Sequence, residues 1–259
     1  MSRIEQLLTS NRTTGRGTLV GYFPAGYPSI EDSAQALVAM AKNGCDVLEV
    51  GVPYSDPVMD GLVIQQATEK ALENGFRLKD TFEVIRRVRQ EVDTPVLVMS
   101  YWNPVLRFGV ESFADEIKAA GAQGMITPDL IPDEGAKWLT AAKDRDLDHV
   151  FLVAPSSSDA RVAANSASSQ GFVYSVSTMG ITGERATLDK LAREVVGRVK
   201  TLGKTPTCVG VGISTAEQVR EVNSYADGAI VGTAFVKAYQ EGGLGALTEK
   251  TRELASGLG

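Results

Sequence analysis

A (β/α)8 barrel with an additional N-terminal helix and a short helix after the eighth strand is the α/β fold that this sequence predicts. Three observations lead there. Eight short apolar runs alternate with amphipathic helical stretches across the 259 residues, the order expected of a parallel sheet with helical crossovers. The run around Val47, Leu48, Val50 and Val52 has the β-branched, aliphatic character of a strand covered on both faces, as a sheet wrapped in helices requires. No Pro/Ser-rich linker, low-complexity tract or repeat interrupts the alternation, so one domain over residues 1–259 is expected. The competing doubly wound fold needs a glycine-rich dinucleotide turn after an early strand. The nearest match, Gly210-Val211-Gly212-Ile213-Ser214-Thr215, comes late and lacks the third glycine.

Taken in order, a helix is expected near residues 4–8 and the first strand at 18–23, ending in Pro24-Ala25-Gly26. Ser29 caps a helix whose Ala36, Leu37, Met40 and Ala41 fall at helical spacing before Gly44 stops it. The second strand follows Asp46. A helix over 63–73 closes at Asn74-Gly75, and a longer one over 79–92 carries Phe82, Ile85 and Val88 on one stripe. Residues 95–100 form the third strand, and Tyr101-Trp102-Asn103-Pro104 reads as a loop leading to a helix at 111–120. Strands at 124–127, 149–153 and 172–176 follow, separated by a helix over 133–143 and one capped by Ser158. Residues 177–186 are polar, contain glycine and are longer than such connections usually are, which marks them as a lid. A helix over 188–200, a strand over 207–211, a helix over 215–222, a strand over 228–231 and helical segments at 234–239 and 247–254 complete the chain.

The formal net charge of −6 argues against nucleic acid or an anionic membrane as partner, since both demand a basic face. No run of about 18 apolar residues exists and no long apolar stretch follows the start, so neither a membrane span nor a secretory signal is expected. Cys45 and Cys208 each adjoin an apolar run and read as reduced core thiols, which fits a cytoplasmic protein. With His149 the only histidine and no CxxC pair, no metal site and no Ser-His-Asp triad is expected. Trp102 and Trp138 read as packing residues.

The chemistry concentrates in residues 46–61, DVLEVGVPYSDPVMDG. Glu49 stands in the middle of a buried strand, where an ionised carboxylate must be paired, be protonated or face a polar cavity. The chain then turns through Tyr54-Ser55-Asp56-Pro57 and presents Asp60 before Gly61. Two readings stay open at this point. Glu49 and Asp60 act together at the strand end, or Glu49 pairs with a buried Arg or Lys while Asp56 and Asp60 are ordinary turn residues. At the far end, Gly210-Val211-Gly212-Ile213-Ser214 follows the seventh strand and Gly232-Thr233-Ala234 the eighth. In a barrel these two loops commonly hold a phosphate on backbone N–H groups and a helix N-terminus, so a phosphorylated ligand is expected. Gly183 in the lid is placed to close over the same oxygens.

The segments LEVGVPYSDPVMDG, PDLIPDE, STMGITGERA, VGVGIS and VGTAFVK together closely resemble the α subunit of tryptophan synthase, in the same order and over essentially the whole chain. The resemblance implies a (β/α)8 barrel that cleaves indole-3-glycerol phosphate to indole and glyceraldehyde 3-phosphate by a retro-aldol reaction. It also implies an α2β2 heterotetramer in which indole passes to a β subunit carrying pyridoxal phosphate, with no cofactor in this chain. Carried onto this sequence, Glu49 is the general acid/base and Asp60 binds the indole N–H. Tyr22 and Tyr174 belong to the substrate pocket, and Thr182 is the lid threonine that meets Asp60 on closure. Gly183, Gly212, Gly232 and Thr233 form the phosphate cradle. Pro53, Asp56, Asn103 and Asp129 fall on the partner side. Two positions depart from the pattern: Leu62 stands where proline usually follows the Asp-Gly pair, and Thr233 replaces a frequent serine. Leucine there leaves the backbone beyond Asp60 less stiff.

Three rivals are weighed. A phosphosugar isomerase barrel would carry acids at the ends of strands one and five, but these read Tyr22-Phe23-Pro24-Ala25 and Val153-Ala154-Pro155-Ser156. A non-catalytic, phospholigand-binding regulatory subunit has no need of both Glu49 and Asp60. A stand-alone lyase would release free indole.

Overall fold

The computed structural model describes residues 1–176, 185–210 and 212–259, apart from the side chains of residues 185–189. Its strands are β1 (Leu19–Pro24), β2 (Val47–Gly51), β3 (Val96–Met99), β4 (Gly124–Ile126), β5 (Asp148–Val150), β6 (Leu152–Val153), β7 (Val173–Val176), β8 (Thr207–Gly210) and β9 (Gly228–Val231). All neighbouring pairs are parallel, in the order β5-β4-β3-β2-β1-β9-β8-β7-β6. The two ends of that order are two pieces of one barrel strand. Its first half pairs with β4 and its second with β7, while at Phe151 the N–H turns to the Ser169 hydroxyl (3.2 Å) and the carbonyl accepts from Tyr174 N–H (3.0 Å). The single strand expected at 149–153 is thus divided where its partner changes, and the sheet closes into the predicted (β/α)8 barrel.

The helices are α1 (Arg3–Thr13), α2 (Ile30–Lys42), α3 (Leu62–Glu73), α4 (Asp80–Glu91), α5 (Trp102–Phe108), α6 (Val110–Ala120), α7 (Ala136–Asp144), α8 (Asp159–Ser168), α9 (Arg185–Leu202), α10 (Ala216–Asn223) and α11 (Thr233–Ala255). α1 is longer than the predicted 4–8. Ser2 and Glu5 form a capping box at its start, and Ile4 and Leu8 are buried in the lower end of the barrel. α5 occupies the expected loop at 101–104. Pro104 is tolerated because a first-turn residue has no intrahelical acceptor for the N–H it lacks. The two C-terminal helical segments run together as α11, divided by non-helical Gly242 and Gly243, the latter at φ 62°.

Inside the barrel one apolar cluster draws on the whole ring of strands: Val20, Val47, Leu97, Ile126, Val150, Cys208 and Ile230, with Phe172 from just before β7. Strand side chains alternate between faces, so the residues two further on face inward again, nearer the carboxyl ends. Those include Tyr22, Glu49, Met99, Leu152, Tyr174, Gly210 and Gly232. A second core lies between sheet and helices and holds Trp138, Phe113, Phe235 and Cys45. Both cysteines are free and buried. Among the described residues no helix is long and apolar enough to cross a membrane, and no cluster of His, Cys, Asp or Glu has the makings of a metal site.

Candidate active site

Above the filled layer the interior changes character. Tyr22 pairs in register with Glu49 across β1 and β2, and Tyr174 with Cys208 across β7 and β8. Both phenols reach toward glycines: a Cβ on Gly51 would lie 2.2 Å from the Tyr22 hydroxyl, and one on Gly210 2.6 Å from that of Tyr174. Any larger residue there would displace the rings, so the glycines at these strand ends make room for two tyrosines. Gly232 does the same for the Tyr22 ring, whose Cδ1 would stand 3.2 Å from an added Cβ.

Glu49 is 1% exposed, and neither of its carboxyl oxygens has a hydrogen-bond partner among the described residues. Among the described residues no Arg or Lys meets it, which counts against the ion-pair reading. Desolvation raises its pKa from the ordinary 4.5 to about 8, so the group is mostly a neutral acid at pH 7. Asp60, in the loop after β2, is half-buried. Its pKa rises to about 6 through desolvation, held back by a hydrogen bond from Tyr101. The two acids share one electrostatic environment, since both Asp60 and Glu49 push up the buried Tyr22 and Tyr174 phenols. Two carboxyl groups with different environments and different pKa values suit one donor and one acceptor.

The glycine loops differ from each other. The start of α10 is already satisfied: Thr215 and Gln218 form a capping box, and Gln218 Oε1 also accepts from Ser214 N–H at 2.5 Å. α11 begins at Gly232 with no side-chain cap, and its first residue, Thr233, is exposed. Phe235 and Val236 N–H donate to the Gly232 carbonyl, and among the described residues the Thr233 and Ala234 N–H groups meet no acceptor, as at helix ends that take anions. Gly212 adopts φ 70° with open space around its Cα. Thr182, Gly183 and the rest of 177–184 lie outside the described residues, as does Val211.

The partner-side residues separate. Asn103 is exposed and donates from Nδ2 to the Tyr54 hydroxyl (3.1 Å), tying α5 to the loop after β2. Asp129 is exposed and accepts from the Trp102 N–H (2.8 and 3.1 Å), which supplies the missing acceptor at the start of α5. Asp56 is exposed and, among the described residues, bonds only its neighbour Ser55. Pro53, expected on the partner side, is buried within this chain, as is Tyr101 after β3. Val58 in the loop after β2 and Leu62 at the start of α3 are instead the large exposed apolar residues there, at 78% and 66%. Sequence reading also missed Tyr101 as a functional residue, because what it touches lies about 40 positions away.

A buried acid, a second carboxyl group and a helix end without a side-chain cap at the carboxyl rim of a parallel barrel give this chain the architecture of a (β/α)8 enzyme. The family model described as the tryptophan synthase alpha chain matches residues 8–256. A tryptophan synthase alpha chain from Leifsonia xyli is 55% identical over 99% of this chain and 98% of its own, and one from Mycobacterium intracellulare 48% over 99% and 94%. Among solved structures, the aminoacrylate-bound tryptophan synthase of M. tuberculosis superposes with a TM-score of 0.93 at 46% identity, covering all of both chains. The alpha subunit from Pyrococcus furiosus gives 0.82 at 33% identity, over 92% of this chain and 98% of that one. The chain belongs to the tryptophan synthase alpha-chain family. That family cleaves indole-3-glycerol phosphate to indole and glyceraldehyde 3-phosphate, a lyase reaction, and leaves pyridoxal phosphate to the β subunit.

Proposed function

We propose that this chain, as a single barrel domain over residues 1–259, performs that cleavage in the cytoplasm with Glu49 as general acid/base and Asp60 as the indole-binding carboxylate. The observation that carries this reading is the buried, mostly protonated Glu49, which has no partner among the described residues. Carbon–carbon cleavage at indole C3 needs an electron sink, and protonation of C3 creates one. Glu49 gives that proton, while ionised Asp60 accepts a hydrogen bond from the indole N–H and stabilises the cationic indolenine. The bond from C3 to the glyceryl carbon then breaks, and its electron pair returns to the ring. The 3′-hydroxyl becomes the aldehyde as Glu49, now a carboxylate, takes its proton, so the acid is restored with no net change in protons.

Tyr22 and Tyr174 line the pocket that holds the indole. Gly212, Gly232 and Thr233, with Gly183 from the lid, hold the phosphate, and Thr182 meets Asp60 on closure. That non-reacting anchor lets part of the binding energy position C3. Asn103, Asp129 and Asp56, with the loop above Pro53, face a tryptophan synthase β subunit in an α2β2 heterotetramer that receives the indole. Incubating the purified chain with indole-3-glycerol phosphate, alone and with that subunit, tests the reading. Indole and glyceraldehyde 3-phosphate in equal amounts are expected, and a chain that turns over no substrate in either condition refutes it.

A further inference from the structure

Asp60 works only if its carboxylate is aimed, yet the backbone on its far side is not stiffened. Gly61 caps α3 with no side-chain bond and Leu62 is exposed as the first helical residue. Two side chains tether the loop. Gln65 donates from Nε2 to the Asp60 carbonyl at 2.7 Å, which fixes the main chain. The Tyr101 hydroxyl accepts from Met59 N–H at 2.9 Å, which sets it beside Asp60, the next residue, whose carboxyl it pulls back toward the ionised form. A phenol has one proton to give, and with the Met59 N–H as its donor that proton is left for the carboxylate. Tyr101 is itself held rigidly. It is 5% exposed, its ring packs on Tyr54 with centroids 5.2 Å apart, and it leads directly into α5, whose first N–H is fixed by Asp129.

We infer that Tyr101 is a positioning residue for the cleavage reaction: its hydroxyl, oriented by the Met59 N–H, aims the Asp60 carboxylate at the indole nitrogen and does the work that a stiff residue after Gly61 would otherwise do. The inference rests on the role proposed above for Asp60. Tyr22 from β1, Tyr101 from the loop after β3 and Tyr174 from β7 all feel the Asp60 charge, and Glu49 from β2 acts on the same Tyr22 and Tyr174. Among the described residues no cation takes part in that group. Tyr101 is thus the hydrogen-bond donor that favours ionised Asp60, and its loss leaves burial unopposed.

The test compares Tyr101→Phe with wild type, both complexed with a tryptophan synthase β subunit and supplied with indole-3-glycerol phosphate. The ring and its packing on Tyr54 remain, and a melting curve checks the fold. The expected result is a kcat lower by about tenfold with KM changed less than about twofold, as for an interaction made in the transition state. The acidic limb of the pH profile moves to higher pH. Adding Leu62→Pro to Tyr101→Phe restores part of the lost kcat, because proline at that helical position stiffens the same loop. A merely structural role predicts a lower melting temperature with kcat, limb and rescue all unmoved, and that result overturns the inference. Carboxylate NMR on the ligand-free chains keeps the two proposals apart: Asp60 titrates at higher pH in Tyr101→Phe if the inference holds, whether or not substrate is cleaved, and at the wild-type pH if it does not. Absence of turnover by wild type counts against the lyase assignment instead.

Discussion

Replacing Glu49 by Gln separates function from stability. With its pKa raised from 4.5 to about 8 by burial, Glu49 keeps a proton in the folded chain over a range in which the unfolded chain has released it. The stability this group contributes is fully present below pH 4.5 and is lost as pH rises toward 8, at about 1.4 kcal/mol per pH unit. By neutral pH the loss reaches about 3 kcal/mol, and it levels off near about 5 kcal/mol above the folded pKa. Gln cannot ionise, and its buried amide lacks partners much as the protonated acid does, so the two desolvation costs nearly cancel. In urea unfolding, Glu49→Gln is therefore expected to exceed wild type by about 3 kcal/mol at neutral pH. The gain vanishes near pH 4.5 and grows until about pH 8. A difference independent of pH, or no gain on the alkaline side, refutes the reasoning, because it would mean that Glu49 is not desolvated as its surroundings require.

Three further outcomes follow from the same geometry. The proposed chemistry needs Asp60 ionised and Glu49 protonated, so kcat/KM should be bell-shaped in pH with limbs near about 6 and about 8; a rate that keeps rising past the upper limb contradicts the acid role. Gly51→Ala places a methyl group against the Tyr22 hydroxyl and is expected to cost about 1–3 kcal/mol of stability and most of the turnover, read by melting and indole release. Leu62→Pro alone should fold and raise stability by up to about 1 kcal/mol, since the position lacks an intrahelical acceptor and Gly61 already has the extended backbone (ψ 161°) that a residue before proline requires. A destabilised Leu62→Pro chain would show that the Asp60 loop is held differently.

What could be read from the residues followed the period of the side chains. Alternation within strands turns Glu49, Tyr22 and Tyr174 to the interior, yet only Glu49 stood out from the strand pattern, and the two tyrosines were named by the resemblance. An acid in an otherwise apolar strand was conspicuous for the same reason. The ambiguity between a paired and a free carboxylate was not resolvable from sequence, because it turns on which side chains stand beside Glu49, and among the described residues none is a cation. α5 was hidden because Asn103-Pro104 reads as a turn, and the carboxylate that starts that helix, Asp129, comes from another loop. Tyr101 was hidden similarly: its contacts with Met59 and Asp60 are tertiary, and an aromatic residue at a strand end carries no local mark of what its hydroxyl meets. Thr182 and Gly183 stay outside the described residues.

The central claim, that Glu49 delivers the proton which opens the carbon–carbon bond, is met most directly by single-turnover cleavage of indole-3-glycerol phosphate on wild type and Glu49→Gln, with binding measured separately by calorimetry. Indole should form on wild type, while Glu49→Gln binds the substrate with similar affinity and forms none above background. Comparable indole formation on both chains would contradict the account.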